Sequence, residues 1–322
     1  MIPTGGCCGS PFLWARATAA RLARRALAGI ALALCAVVAP AQERLAVVAT
    51  TSDLRSLAEA VGGERIAVIH LVPPDTDAEE YQPRPQDVTR IHEAKLLLRV
   101  GADYDLWLDK LAAQAQRRDL RRGGPGHVDC SFAIALLDVR GTQVGPAGGH
   151  AHGNGNPHYW LDPGNAETIS GVILEALARI DPANEKYYEG QRLKFLDRLN
   201  RKLRDWEQKL APVRGKAIVA YHNNWTYLAR RFRLNFAGYI EPRPGVPPSP
   251  SHLAALLKLM ERERVGVIVR QPREPAKNAE FLASRTGARV VLLAASVGAV
   301  PQATDYLSLF DYNVETLAAA FR

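Results

Sequence analysis

The chain has 322 residues, 47% of them hydrophobic and 23% charged, enough for two folded lobes and too apolar for wholesale disorder. Its formal charge of +8 overstates its basicity: four of the 41 basic residues (Arg16, Arg21, Arg24, Arg25) and none of the 33 acidic ones lie in the first 41 positions, leaving 37 against 33, a formal +4. So small a surplus, without a basic block, argues against nucleic acid as a partner.

Those first 41 residues read as a signal peptide. Arginines run as far as Arg25, residues 26–38 are apolar but short for a bilayer span, and Ala39-Pro40-Ala41 fits a small-x-small cleavage site before Gln42. The expected destination is the periplasm. Cys35 follows a poor lipoprotein cleavage box, so lipid anchoring is not expected. Cys7, Cys8 and Cys35 belong to the signal and leave Cys130 alone. This excludes an intrachain disulfide and a Cys-based zinc site in the mature chain, so a metal must be held by His and carboxylates.

From there strand-like and helix-like segments alternate. Apolar runs at 44–50, 65–72 and 95–100 predict strands, with a helix from about Asp53 to Val61 after the first and helical stretches after the others. Continuous apolar runs separated by helices predict a parallel sheet covered on both faces. From about Gly123 to Asn156 the chain is Gly-rich and loses periodicity, which predicts a surface loop holding His127, His150 and His152. Residues 164–180 predict a helix, and 184–210 one long amphipathic helix with Leu193, Leu196, Leu199, Leu203, Trp206 and Leu210 on its apolar face. Pro212 ends it.

A second block follows, with strands predicted at 216–221, 234–240, 265–269 and 289–294 and a closing helix from about Tyr306 to Phe321. Ser249 or Ser251 is the expected N-cap of the helix running through Met260. The fold class is therefore α/β: two Rossmann-like lobes with mainly parallel sheets, at 42–182 and 213–322, joined by one long rigid helix at 183–212. Ligands of such sheets bind at the carboxyl ends of the strands, here in the cleft between lobes.

Three stretches fall where strands or loops open on that cleft: "VPPDTDAEEYQPRPQDV" (72–88), "NPHYWLDP" (156–163) and "VAYHNNWTYLARRF" (219–232). With "VVATTSDLRSLAEAVGG" before them and "IEPRPGVPPSPSHL" (240–253) and "DYLSLFDYNVETL" (305–317) after them, the chain from Leu45 to Phe321 resembles the solute-binding proteins of zinc and manganese ABC importers. The resemblance implies a divalent ion held by side chains from four places, two per lobe. It puts His158 at the second ligand position and His222 at the third. At the first, where the family has a histidine two residues before the tyrosine of this motif, stands Glu79, with Glu80 beside it as the alternative. At the fourth, in the turn after the last strand, Ala295 replaces the usual carboxylate, and Asn223 stands where many relatives have Asp.

Two imidazoles and a carboxylate make a mixed N/O site that suits Zn²⁺, Mn²⁺ or Fe²⁺. Asp305 is the downstream alternative for the missing acid, although its spacing does not match. Tyr81, Trp160 and Trp225 are expected to wall the site, and Glu241 to orient a ligating imidazole. His150 and His152 are an auxiliary pair at the cleft mouth, or else a solvated loop. The implied function is an extracytoplasmic receptor, a monomer and not an enzyme, that captures Zn²⁺ (Mn²⁺ next) for a membrane permease and its ATPase. The alternatives are a metalloenzyme with a two-His-one-carboxylate site and a siderophore or other organic-ligand receptor of the same architecture.

Overall fold

The structure is a computed structural model that describes residues 1–3, 5–6, 44–74, 76–79, 81–138, 155–243 and 245–322. Glu80, His150, His152 and residues 7–41 of the expected signal segment lie outside the described residues. Every strand and helix among the described residues falls within Arg44–Arg322.

Eight strands form among the described residues, and every pair in both sheets is parallel. The first sheet holds β1 (Leu45–Ala49), β2 (Ile66–His70), β3 (Leu96–Arg99) and β4 (His127–Asp129) in the order β2-β1-β3-β4. The second holds β5 (Ala217–Ala220), β6 (Asn235–Tyr239), β7 (Val267–Arg270) and β8 (Arg289–Leu292) in the order β6-β5-β7-β8. The order is the same in both. Helices cover the faces, so the central strands are buried along their length: β3 and β5 have every residue buried. In both sheets the strand order reverses beside the first strand, between β1 and β3 and between β5 and β7. Crevices open at such reversals, outside the carboxyl ends of the strands.

Strand β4 corrects the reading of 123–156 as loop throughout. It has only three residues, paired to β3 from Leu97↔His127 to Arg99↔Asp129, too few for a periodic signal. His127 is thus a strand residue.

Helix α1 (Ser52–Gly62) starts where the Thr51 side chain accepts a hydrogen bond from Leu54 N, 3.4 Å away. Helices α2 (Pro85–Glu93), α3 (Trp107–Gln114) and α4 (Asn165–Ile180) complete the first lobe. The long helix is α5 (Glu185–Leu210), 26 residues or about 39 Å at 1.5 Å per residue. It packs against α1 and α4 and against the C-terminal helix α9 (Tyr306–Ala320). Its buried face is Tyr188, Phe195, Leu199, Trp206 and Leu210. The predicted stripe holds at Leu199, Trp206 and Leu210, but Leu193 is exposed and Phe195 takes the inward position. Trp206 is fully buried and its Nε1 donates to Asp311 Oδ1 at 2.8 Å, so truncating it should cost about 3–5 kcal/mol.

The second lobe adds α6 (Thr226–Phe232), α7 (Pro250–Arg262) and α8 (Ala276–Thr286). Ser249, not Ser251, is the N-cap of α7, accepting from His252 N at 3.1 Å. No helix among the described residues is long and apolar enough to cross a membrane.

Candidate functional site

At the two strand-order reversals, the segments leaving β1, β3, β5 and β7 bring Asp53, Tyr104, His222 and Glu274 into one region. His158 joins them from the loop before the single-turn helix Tyr159–Leu161. The His158 and His222 rings, one from each lobe, have centroids 6.0 Å apart. Glu79 Oε1 stands 4.0 Å from His158 Nε2. Two donors on a tetrahedral zinc, at about 2.0–2.2 Å from the metal, sit roughly 3.4 Å apart. As they stand, no three His, Cys, Asp or Glu side chains among the described residues converge tightly enough to hold a metal.

Each imidazole is fixed from behind. The Asn156 amide oxygen accepts both His158 N (3.0 Å) and His158 Nδ1 (2.9 Å). An acceptor at Nδ1 puts the proton there and leaves Nε2 as the lone-pair nitrogen. Asn156 is itself held, since its Nδ2 donates across to Asn223 O at 3.3 Å and Tyr227 Oη donates to its carbonyl at 2.7 Å. On the other side, His222 Nδ1 lies 2.5 Å from Glu241 Oε2, and Glu241 Oε1 accepts from Gly245 N at 2.8 Å. Burial works to lower the His222 pKa, but the hydrogen bond and charge of Glu241, with the charges of Asp77 and Glu274, outweigh it and raise the pKa above 6.5.

Aromatic rings close the His158 side. Tyr104 and Trp160 lie 5.3 and 5.2 Å from the His158 ring, and Trp160 Nε1 donates to Ala295 O at 2.9 Å. Tyr104 is held there by a tight turn in which Ala102 and Asp103 take positive φ (48° and 64°). The buried Asp105 carboxylate closes that turn, accepting from Val100 N, Gly101 N and Arg99 Nε. Tyr81 and Trp225 pack elsewhere. Tyr81 donates to Asp87 at 2.8 Å and tilts against Trp107, whereas Trp225 stacks on Phe236. Of the three aromatics expected to wall the site, Trp160 is the one in ring contact with a histidine.

Asp305 is a correction. It is the N-cap of α9, accepting from Ser308 N at 2.7 Å, and lines a groove with Ser56, Phe195 and Arg198. A carboxylate tied to a helix start facing that groove does not reach the histidines.

Five residues missed from the sequence complete the surroundings. Asn156 had a local signal, the "NPH" tripeptide. Asp77 and Arg273 pair across the lobes, Nη2 to Oδ2 at 2.9 Å, and Asp77 Oδ1 also accepts from Glu79 N at 3.0 Å. The pair therefore pins the turn that presents Glu79. Glu274 is buried and pushed up to about 7, chiefly by desolvation. Its two oxygens accept from Gln271 N (2.6 Å) and Gln271 Nε2 (2.9 Å). Asp53, 1% exposed, is likewise pushed up to about 7 by burial.

Two parallel sheets of identical order, a long helix packed along both lobes, and two histidines, one from each lobe, with ring centroids 6.0 Å apart define a bilobed binding protein of the α/β class. The chain belongs to the ZnuA family, "zinc-uptake complex component A periplasmic", which matches residues 47–320. Among curated relatives, the metal ABC transporter substrate-binding lipoprotein SloC of Streptococcus mutans is 23% identical, over 86% of this chain and 90% of its own length. The iron-binding protein YfeA of Yersinia pestis is 24% identical over 87% of each chain. A crystal structure of ZnuA superposes with a TM-score of 0.74 at 24% identity, covering 87% of this chain and all of that one. The protein is thus of the metal ABC transporter substrate-binding family.

Proposed function

We propose that the protein captures one divalent ion, Zn²⁺ in preference to Mn²⁺ or Fe²⁺, in the inter-lobe crevice and delivers it to a membrane permease driven by an ATPase. Glu79, His158 and His222 are the ligands in this reading, and Glu241 and Trp160 support them. The observation that carries it is the pair of imidazoles, one from each lobe. Each is anchored through Nδ1, so that Nε2 is the nitrogen that would take the metal, and the rings lie 6.0 Å apart at their centroids with Glu79 beside one of them. Such a set needs no nucleophile or general base, because its work is reversible capture. Nitrogen donors favour zinc over the harder manganese, and the description of the family points the same way. The signal peptide expected from residues 1–41 accords with capture outside the cytoplasm.

The test is metal analysis and titration of the purified mature protein beside Glu79→Ala and His222→Ala. The wild type should bind one zinc, tighter than manganese, and His222→Ala should lose it. Stoichiometric zinc in both variants at unchanged affinity would overturn the proposed site.

A further inference from the structure

The turn after β8 carries Ala295 where the resemblance leads one to expect a carboxylate, so the ligand set is short of an anionic oxygen. A different carboxylate already sits in that turn. Asp53, from the first turn of α1, reaches across to it, and its Oδ1 accepts a hydrogen bond from Val297 N at 3.0 Å. Its other oxygen, Oδ2, is buried and has no hydrogen-bond partner among the described residues. Leaving a carboxylate oxygen dry and without a donor is costly unless a cation or water faces it.

Asp53 borders the His158 side of the site. It lines a cavity of ≈ 30 Å³ together with His158, Tyr104, Asn224 and Ala295, and a cavity of that size admits a water but not an organic ligand. Two more polar atoms of the lining lack hydrogen-bond partners among the described residues, Ser52 Oγ and Asn224 Oδ1, and both residues are more than nine-tenths buried. Oxygens left without donors around a small cavity beside an imidazole suit a hydrated or directly bound cation. The other buried carboxyl at the crevice, Glu274, is a poorer candidate because both its oxygens are engaged by Gln271.

We infer that Asp53 supplies the anionic oxygen missing at position 295, so that the fourth donor to the cation comes from the start of α1 and not from the turn after β8. The inference rests on the proposed metal-capture function. Its geometric basis is the strand order: Asp53 leaves the carboxyl end of β1 at the reversal in the first sheet, as His222 leaves β5 at the reversal in the second.

The experiment is zinc titration against a chromophoric chelator for the wild type, Asp53→Asn, His222→Ala and the double variant Asp53→Asn/Ala295→Asp, with circular dichroism on each. Asparagine keeps an acceptor for Val297 N but removes the charge and puts an amide NH2, which cannot ligate a cation, where Oδ2 stood. Asp53→Asn should remain folded and bind zinc at least about 10-fold more weakly, because a lost donor costs no less than a lost outer partner. Returning a carboxylate at position 295 should restore much of that loss. Wild-type affinity in Asp53→Asn, with binding lost in His222→Ala, would overturn the role of Asp53 and leave the capture function standing. A wild type that binds no zinc or manganese would overturn both. If Asp53→Asn fails to fold, the double variant decides: a folded double variant that binds zinc no better than His222→Ala counts against the inference, and recovered binding supports it.

Discussion

The two halves of the site are built alike but charged differently. His158 leans on a neutral amide, Asn156, in a pocket walled by Tyr104 and Trp160, whereas His222 leans on a carboxylate, Glu241, beside a wider recess also lined by Asp77, Arg273 and Glu274. A carboxylate behind an imidazole raises its basicity and its donor strength to a metal, and an amide orients without adding charge. Glu241 thus raises the basicity of the imidazole from the second lobe, whereas Asn156 orients the imidazole from the first without adding charge. The contrast teaches that the lobes share topology while dividing the electrostatic work.

The comparison breaks most sharply when an imidazole is removed. His158→Ala and His222→Ala should each weaken zinc binding by more than the 10–100-fold typical of losing an outer partner, as read by competition titration. Equal, near-wild-type affinity for both would place the metal elsewhere.

Changing the group behind each ring is the finer test. Glu241→Gln should cost about 10–100-fold in affinity. Asn156→Ala, which loses orientation without losing charge, should stay at the lower end of that range. If Asn156→Ala proves the more damaging, orientation and not charge governs the site.

The recess should also register in stability. Burial lifts Glu274 from 4.5 to about 7 in the folded state, so the native protein holds that proton more tightly than the unfolded chain. This contribution to stability is present in full below about pH 4.5 and is lost as the pH rises through about 7. Thermal unfolding of the metal-free protein at pH 5 and pH 8 should therefore show Glu274→Gln gaining on the wild type by a few degrees as pH rises. A gap independent of pH would remove Glu274 from the account.

The smallest effect is expected at the partly exposed pair that bridges the halves. Arg273→Ala frees Asp77, and such a pair is worth about 0.2–1 kcal/mol. Zinc release measured by stopped flow should quicken by no more than about fivefold. A larger change would make this pair the principal closure of the crevice.

Much of the fold was legible because parallel, two-face-buried strands are continuous apolar runs and the long helix repeats its pattern over seven turns. Strand β4 escaped because three residues carry no period. Leu193 was misplaced because a three- and four-residue spacing fits more than one helical face, and packing against α1, α4 and α9 selected Phe195. Within the candidate site, His158, His222 and Glu241 lie in stretches whose residue types and order were readable along the chain. Asp305 has the right chemistry at the wrong place, which chain order does not reveal.

The sequence by itself determined the alternation of strands and helices, the long helix and the residue types available to a cation, because these depend on neighbours within a turn or a strand. Only the tertiary structure decided which carboxylates face the histidines. Asp53 meets the Val297 turn across 244 residues and Arg273 meets Asp77 across 196. Such meetings follow from where each strand's carboxyl end falls in the sheet order, a property of the folded topology that no local pattern carries.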